Sequence, residues 1–414
     1  MKMMTTAVGA IIAALCGVPL TAQTLAPPVR GQDLTAQASV GAGYDDDVFA
    51  ETQSLSAVSP LIGTSASYGL ADLGLTYAAT GRRITFGAAA DSSVRYYRLD
   101  DPFTARRYSG SAALSVDLTE RMRATASVSA QRSSHHIFWI FPALAEPPLG
   151  QLAFPSLDFS LTSTTGRSYD SGAALTYSLT RRSTLSADYG YGEARFGEAD
   201  FDLKRERWAG RYTNGFTRYA SLRLGYGIED ATYVNRQRFR RRTIDVGVDY
   251  ARPLSFSRRT TLSFGVGTAG LDDGQATYYT LTGHANLIHQ LARRWGLNAA
   301  YNRNVGFISG FLQPFLSDSA ALSTTGRLHR RLMLTMSAAY SNGTVGFDVE
   351  APRYETYTGS ARIQFLLGRG VSAFGESVYY HSRFDEQVAL PLNSPRSLDR
   401  HGLRGGLNYT VEVF

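Results

Sequence analysis

A repeated unit of alternating residues constrains this chain more than any other feature. Leu175, Tyr177 and Leu179 alternate with small or polar residues as far as Arg181-Arg182, and Leu185, Ala187 and Tyr189 resume the alternation beyond. The same arginine-bearing break recurs at Arg82-Arg83, Arg121, Arg258-Arg259, Arg293-Arg294, Arg330-Arg331 and Arg369. Period-two alternation gives a strand with one oily and one wet face. Many such strands joined by tight turns make an up-and-down antiparallel barrel. With the oily faces turned to lipid, the barrel spans an outer membrane. The expected fold is therefore all-β, a transmembrane up-and-down antiparallel β-barrel of about 18 strands, roughly 16 to 20. Short turns face the periplasm and longer loops the outside.

The ends of the chain fit that location. Lys2 followed by apolar Val8 to Val18 reads as a secretory signal, too short to cross a bilayer as a helix. Residues 1–22 are expected to be the signal peptide, 23–33 a periplasmic leader and 34–414 the barrel. Leu15, where a lipoprotein signal has a small residue, argues against lipid attachment at Cys16. Cys16 is the only cysteine, so a mature chain has no disulfide to hold it. A closed barrel needs none, because every strand is hydrogen-bonded on both edges. The location implies a Gram-negative outer membrane, with lipid, lipopolysaccharide and the barrel-assembly machinery as partners. Nothing points to nucleic acid.

The first strand shows the pattern. Leu34, Ala36, Ala38, Val40, Ala42 and Tyr44 share one face; Thr35, Gln37, Ser39, Gly41 and Gly43 share the other. The second strand, near 62–79, slips in phase around Asp72, which predicts a bulge. The third, 83–97, puts Ile84, Phe86, Ala88, Ala90, Val94 and Tyr96 on its oily face. Further strands are expected near 107–118, 122–132, 167–179, 184–193, 203–213, 220–229, 242–251, 261–269, 277–289, 295–303, 319–328, 332–341, 354–366, 371–380 and 401–414. The longer connections fall at 45–61, 98–106, 133–166, 230–241, 304–318, 342–353 and 381–400. The longest, 133–166, holds Ile137 to Phe141 and Pro147-Pro148. An apolar loop of this kind is expected to fold into the barrel mouth and narrow it.

Where oily residues face lipid, their neighbours face the lumen. This parity turns Asp91, Arg95, Asp117, Arg123, Asp170 and Asp188 inward. Arg205, Arg207, Arg211 and Arg223 follow, then Asp245 and Asp249. His284, Asn286, Asn298, Asn302, Arg362, Gln364, Arg404 and Asn408 complete the ring. The inward charges are grouped by sign. They can set a transverse field for polar solutes, or form an arginine track for an anionic polymer. They can also simply pair across strands and brace the wall. The basic excess is nearly all arginine, since Lys2 and Lys204 are the only lysines.

Chemistry-bearing motifs are few. Gly265 to Gly270 matches a dinucleotide fingerprint by letter, but lies within a strand and opens no helix. His135-His136 has no ligand partners at metal spacing, so no metal or other cofactor is expected. Ser382 with His381 or His401 is the nearest approach to a nucleophile and base, and nothing singles it out. No enzyme is expected. Phe414 ends the chain with the aromatic residue that assembly machinery reads, although Leu403, Leu407, Tyr409, Val411 and Val413 take the opposite phase.

One segment carries a family resemblance. Gly41-Ala42-Gly43-Tyr44-Asp45-Asp46-Asp47-Val48-Phe49 resembles the first strand and loop of an outer-membrane β-barrel family found beside exopolysaccharide biosynthesis genes. Members tend to carry Tyr-Asp-Asp-Asn, where this chain has Asp47. The resemblance implies a conduit in polysaccharide secretion, with the polymer and periplasmic export components as further partners. The acidic triplet also reads as a solvated loop, or as a weak divalent-cation site against lipopolysaccharide. The alternatives are a general or substrate-specific uptake porin, and a barrel-anchored enzyme or adhesion module.

Overall fold

The computed structural model describes residues 31–46, 65–98, 103–136, 160–195, 202–217, 219–233, 237–250, 260–292, 294–308, 311–347, 350–390 and 396–413. The expected signal peptide, residues 23–30 of the leader, Asp47, residues 137–159 of the longest loop and Phe414 lie outside them.

The alternating segments fold as strands. They are β1 (Gly31–Asp45), β2 (Ala66–Thr80), β3 (Ile84–Arg98), β4 (Phe103–Asp117), β5 (Met122–His136) and β6 (Ser160–Ser178). There follow β7 (Ser183–Arg195), β8 (Leu203–Gly215), β9 (Ala220–Tyr233), β10 (Arg238–Tyr250), β11 (Thr260–Asp272) and β12 (Thr277–Ala292). The last are β13 (Trp295–Gly306), β14 (Phe315–His329), β15 (Leu332–Val345), β16 (Arg353–Leu366), β17 (Val371–Phe384) and β18 (Ser397–Glu412). Each pairs antiparallel with its sequence neighbours in one 18-stranded sheet, and β1 pairs with β18 from Thr35↔Glu412 to Asp45↔Gly402. The sheet therefore closes on itself. A barrel of this strand number encloses a space wide enough for water.

The turns on one rim share a chemistry. In Leu118-Thr119-Glu120-Arg121 the Thr119 hydroxyl accepts the N–H of Arg121 at 3.2 Å. In Leu179-Thr180-Arg181-Arg182, Thr180 accepts from Arg182 and Ser183 at 3.1 and 3.0 Å. Thr217 accepts from Tyr219 and Ala220 in the same way. A threonine that satisfies the backbone of a tight turn fixes each hairpin locally. Arg82, Arg83, Arg121, Arg181, Arg182, Arg294, Arg330, Arg331 and Arg369 are all exposed on this rim. Short turns mark the periplasmic side.

The outer wall is apolar. Val40, Leu73, Leu185, Ile244, Val266 and Leu407 all project from it, exposed. An apolar surface of this extent cannot face water. A closed barrel, oily outside and polar along its inner wall, is an integral protein of the Gram-negative outer membrane.

One strand differs from its reading. The pairing of β2 with β1 and β3 runs without interruption through Asp72, so there is no bulge there. The change of phase arises because Tyr68 and Leu70 point inward and are buried. The register shifts that do occur are between Ser133 and His135, His289 and Ala292, and Arg327 and His329.

Candidate functional site

The candidate site is the inner wall, and it is divided. One sector is sealed by side chains. In the row Leu70–Gly41–Gly406–Phe374, two glycines lie between two large residues. A Cβ on Gly41 would meet the backbone of Gly405 and Gly406, so only glycine fits where β1 and β18 close. Leu70 and Phe374 join Ala66, Tyr68, Tyr97 and Ala105 in one buried cluster. Arg95 lies over the Tyr68 ring at 5.5 Å, and Asp45 accepts hydrogen bonds from Arg400 and, at 3.1 Å, from the Tyr97 hydroxyl. One row away, Glu376 is paired with Arg404 at 2.8 Å and Arg362 at 3.6 Å, its side chain 0% exposed. Arg362 also covers the Phe374 ring at 4.3 Å.

A second apolar body fills part of the extracellular mouth. Leu203, Ala231, Tyr233, Phe239, Ala269 and Leu271 turn inward at the upper ends of β8 to β11 and pack on Phe307. Phe307 follows β13, yet its carbonyl accepts from Arg205 of β8 at 3.4 Å and its ring lies under Arg241 at 5.8 Å. Arg241 is itself paired with Glu229. Four residues on, Phe311 is buried against Phe315, Val345, Tyr354 and Phe384, on the inner face of β14 to β17, and against Val388 just beyond β17. Phe307 and Phe311 thus pack against two separate stretches of the mouth, at β8 to β11 and at β14 to β17. The described inward-folding connections include this one, within 304–318, and the one after β17, where Val388 is buried in the same cluster. Residues 137–159 of the loop expected to do so are not described.

The remaining sector, the inner wall of β3 to β8 below the buried Arg95, Tyr97, Ala105 and Leu203, is more solvated. Asp91 and Arg207 are exposed and inward. Asp170 is 51% exposed and meets Arg205 at 3.3 Å. Asp117 and Arg123 pair at 2.6 Å near the periplasmic rim. Asp188 and Arg211 are inward and half-buried. Neither Arg207 nor Arg211 makes an ion pair among the described residues. On the neighbouring wall Arg223 is buried, paired with Asp245 at 2.8 Å and donating to His284 Nε2 at 2.6 Å. The Asp249 side chain lies outside the description. Much of the inward charge therefore braces neighbouring strands, as cross-strand pairs do. The Arg207–Arg211 stretch does not.

The first-loop residues divide. Tyr44 faces outward and Asp45 is buried inside the barrel. Asp46 continues the seam, its carboxylate accepting the His401 N–H at 2.7 Å. Asp45 therefore stands in no solvated loop, and its inward carboxylate cannot hold a cation against lipopolysaccharide. The paired Glu229, Arg241, Glu376 and Arg400 were missed from sequence. Parity on β17 and β18 carried the signal for Glu376 and Arg400. Glu229 and Arg241 stood at the edges of what read as a loop. Ser382 points inward while His381 stacks on Tyr357 and His401 lies tilted against Tyr379 on the outer face, so Ser382 meets neither histidine there. Gly265 to Gly270 lies within β11, and no helix occurs among the described residues.

No family model and no curated protein matches the chain. Solved structures do. Pseudomonas aeruginosa OpdL is 14% identical, with 92% of this chain and 99% of that one covered and a TM-score of 0.47. P. aeruginosa OccK2 (OpdF) in complex with glucuronate gives 10%, 92%, 98% and 0.47. Acinetobacter baumannii OccAB4 gives 11%, 94%, 100% and 0.44. Likenesses of this size carry no weight for function. The resemblance of Gly41–Phe49 to a family associated with exopolysaccharide genes has no support among these matches.

Proposed function

We propose that this protein is a passive, selective uptake channel for small anionic solutes. The observation that carries the reading is the division of the inner wall. Two sectors are closed by packed side chains and the inward connection after β13. The third presents exposed Arg207 and half-buried Arg211, four positions apart with Ala209 midway, along the inner face of β8. Arginine forks bind carboxylate or phosphate through replaceable hydrogen bonds. Rings or strips of arginine select anions in pores, provided that each site lets go as readily as it binds. No covalent step is involved. Paired charges at Asp170–Arg205 and Asp117–Arg123 flank the strip and give a solute polar contacts toward either mouth.

The experiment is a reversal-potential measurement across a planar bilayer under a potassium chloride gradient. The wild-type channel should prefer chloride, and Arg207→Gln with Arg211→Gln should shift the selectivity toward potassium. An unchanged reversal potential would reduce the two arginines to struts. Export of a polysaccharide is the other reading raised by the sequence. A deletion strain that loses extracellular polymer but keeps its uptake of small anions would favour it over the present one.

A further inference from the structure

The outer face of β5, β6 and β7 carries a row of like charges close to the extracellular rim. Arg132 is the direct cross-strand partner of Arg167, and Arg167 of Arg195. All three are exposed. Like charges directly opposite each other destabilise a sheet. Several outward arginines elsewhere meet carboxylates, although Arg98 and Arg242 make no ion pair among the described residues. Arg303 lies 2.8 Å from Asp318, and Arg238 and Arg240 lie 2.6 and 2.7 Å from Asp230. In the row, Arg195 is paired with Glu193 of its own strand, whereas Arg132 and Arg167 make no ion pair among the described residues. Among the described residues, the row carries more positive charge than its one carboxylate, Glu193, offsets.

The level of the row is marked by tyrosines. Tyr108 is the cross-strand neighbour of Arg132 on the other side. Tyr169 and Tyr191 lie just below, ring centroids 6.4 Å apart. Outward tyrosines mark the depth of the headgroups. Further down the same strands the outer surface is hollow. A groove of about 610 Å³ runs across β4 to β9, floored by Ala124, Ala126, Ala173, Ala187 and Gly210 and walled by Trp208. From Arg167 to Ala173 the strand descends ~20 Å along its length at ~3.4 Å per residue. A tilt of roughly 40° converts this to a depth of about 15 Å, half the hydrocarbon thickness of a bilayer and the reach of one acyl chain.

We propose that this face is a lipopolysaccharide site. The lipid A phosphates sit over Arg132, Arg167 and Arg195, and an acyl chain fills the groove below. Charge complementarity selects this occupant. Arginine forks match phosphate oxygens in pairs, and the anion relieves the repulsion within the row. A second copy of the chain would bring the same arginines, and its strand faces are convex where the groove is hollow. The site is independent of the lumen, so its failure leaves the uptake reading standing.

The test is native mass spectrometry of the full protein in mild detergent. The lipids are bis-phosphorylated lipid A, dephosphorylated lipid A and phosphatidylglycerol. Heat-modifiable migration on gels confirms that each variant is a folded barrel. Wild type should bind bis-phosphorylated lipid A about tenfold more tightly than the other two, reflecting charge-assisted forks to two phosphates. Arg132→Gln with Arg167→Gln and Arg195→Gln should lose that preference, and the corresponding lysine variant should regain part of it. Ala173→Phe, which fills the groove, should weaken lipid A binding with every arginine in place. Equal binding of the three lipids by wild type, or equal binding of lipid A by wild type and the glutamine variant, would overturn the proposal. So would a wild-type oligomer that Ala173→Phe dissolves, because it would assign the face to a second copy.

Discussion

Asp45 and Arg400 form a hydrogen-bonded ion pair inside the barrel, although 355 positions separate them in the chain. Both are buried, and the pair straddles the seam between the first strand and the last. Removing one member of a buried pair strands a charge, at a cost of about 3–5 kcal/mol. Asp45→Asn and Arg400→Met should each lower the unfolding free energy by about that much in urea titrations in lipid vesicles. The double variant should cost clearly less than the sum. Strict additivity would show that the two side chains do not interact.

Phe307 and Phe311 hold the connection after β13 against two separate stretches of the mouth. Truncating a buried phenylalanine costs about 3–5 kcal/mol of local packing. Phe307→Ala with Phe311→Ala should release the segment and raise single-channel conductance roughly twofold, since an obstructing constriction is lost. Conductance equal to that of wild type would place the bottleneck elsewhere.

Much of the architecture could be read from the chain, because period-two alternation survives wherever one face meets lipid and the other water. That rule set the strand number and turned Asp91, Arg207 and Arg223 inward. It fails where the interior is dry. Tyr68 and Leu70 look like a slip of phase because they are oily and inward, next to Gly41, where there is no side chain to oppose them. Phe307 and Phe311 belong to no strand, so no period marks their direction. The partner of Asp45 is invisible locally, since only closure of the sheet brings Arg400 beside it. The short segment with Phe307 and Phe311 packs into the mouth, a role the sequence also suggests for 133–166, of which residues 137–159 lie outside the described residues.

The sidedness of the wall has an energetic consequence. Val246 faces outward at mid-strand, and Asn302 faces inward. Val246→Arg should destabilise the barrel by about 2–4 kcal/mol, the cost of an arginine at the lipid midplane. Asn302→Arg should cost less than ~1 kcal/mol, because the inner wall is polar. Similar losses at the two sites would contradict the assignment of faces.

At the turn between β11 and β12, the Asp273 carboxylate accepts the N–H groups of Gln275 and Ala276, both at 2.8 Å. These backbone donors hold its pKa below the ordinary carboxylate value. A depressed folded pKa stabilises the turn above the unfolded value, and the benefit is lost as pH falls through the depressed one. Hydrogen exchange at the Gln275 and Ala276 amides should therefore remain protected at pH 5 and quicken, relative to the amides of β12, only in acid below the usual carboxylate range. In Asp273→Asn this acid step should vanish.

The most direct measurement is cysteine accessibility along β8 in intact outer membranes, on a Cys16→Ser background. Single cysteines at 207 through 212 are treated with a charged, membrane-impermeant thiol reagent. Positions 207, 209 and 211 should react and positions 208, 210 and 212 should not, because alternate residues face an aqueous bore and the lipid. Reaction at the even positions with protection of the odd ones would reverse the two faces and refute both the barrel's orientation and the conduit it is proposed to form.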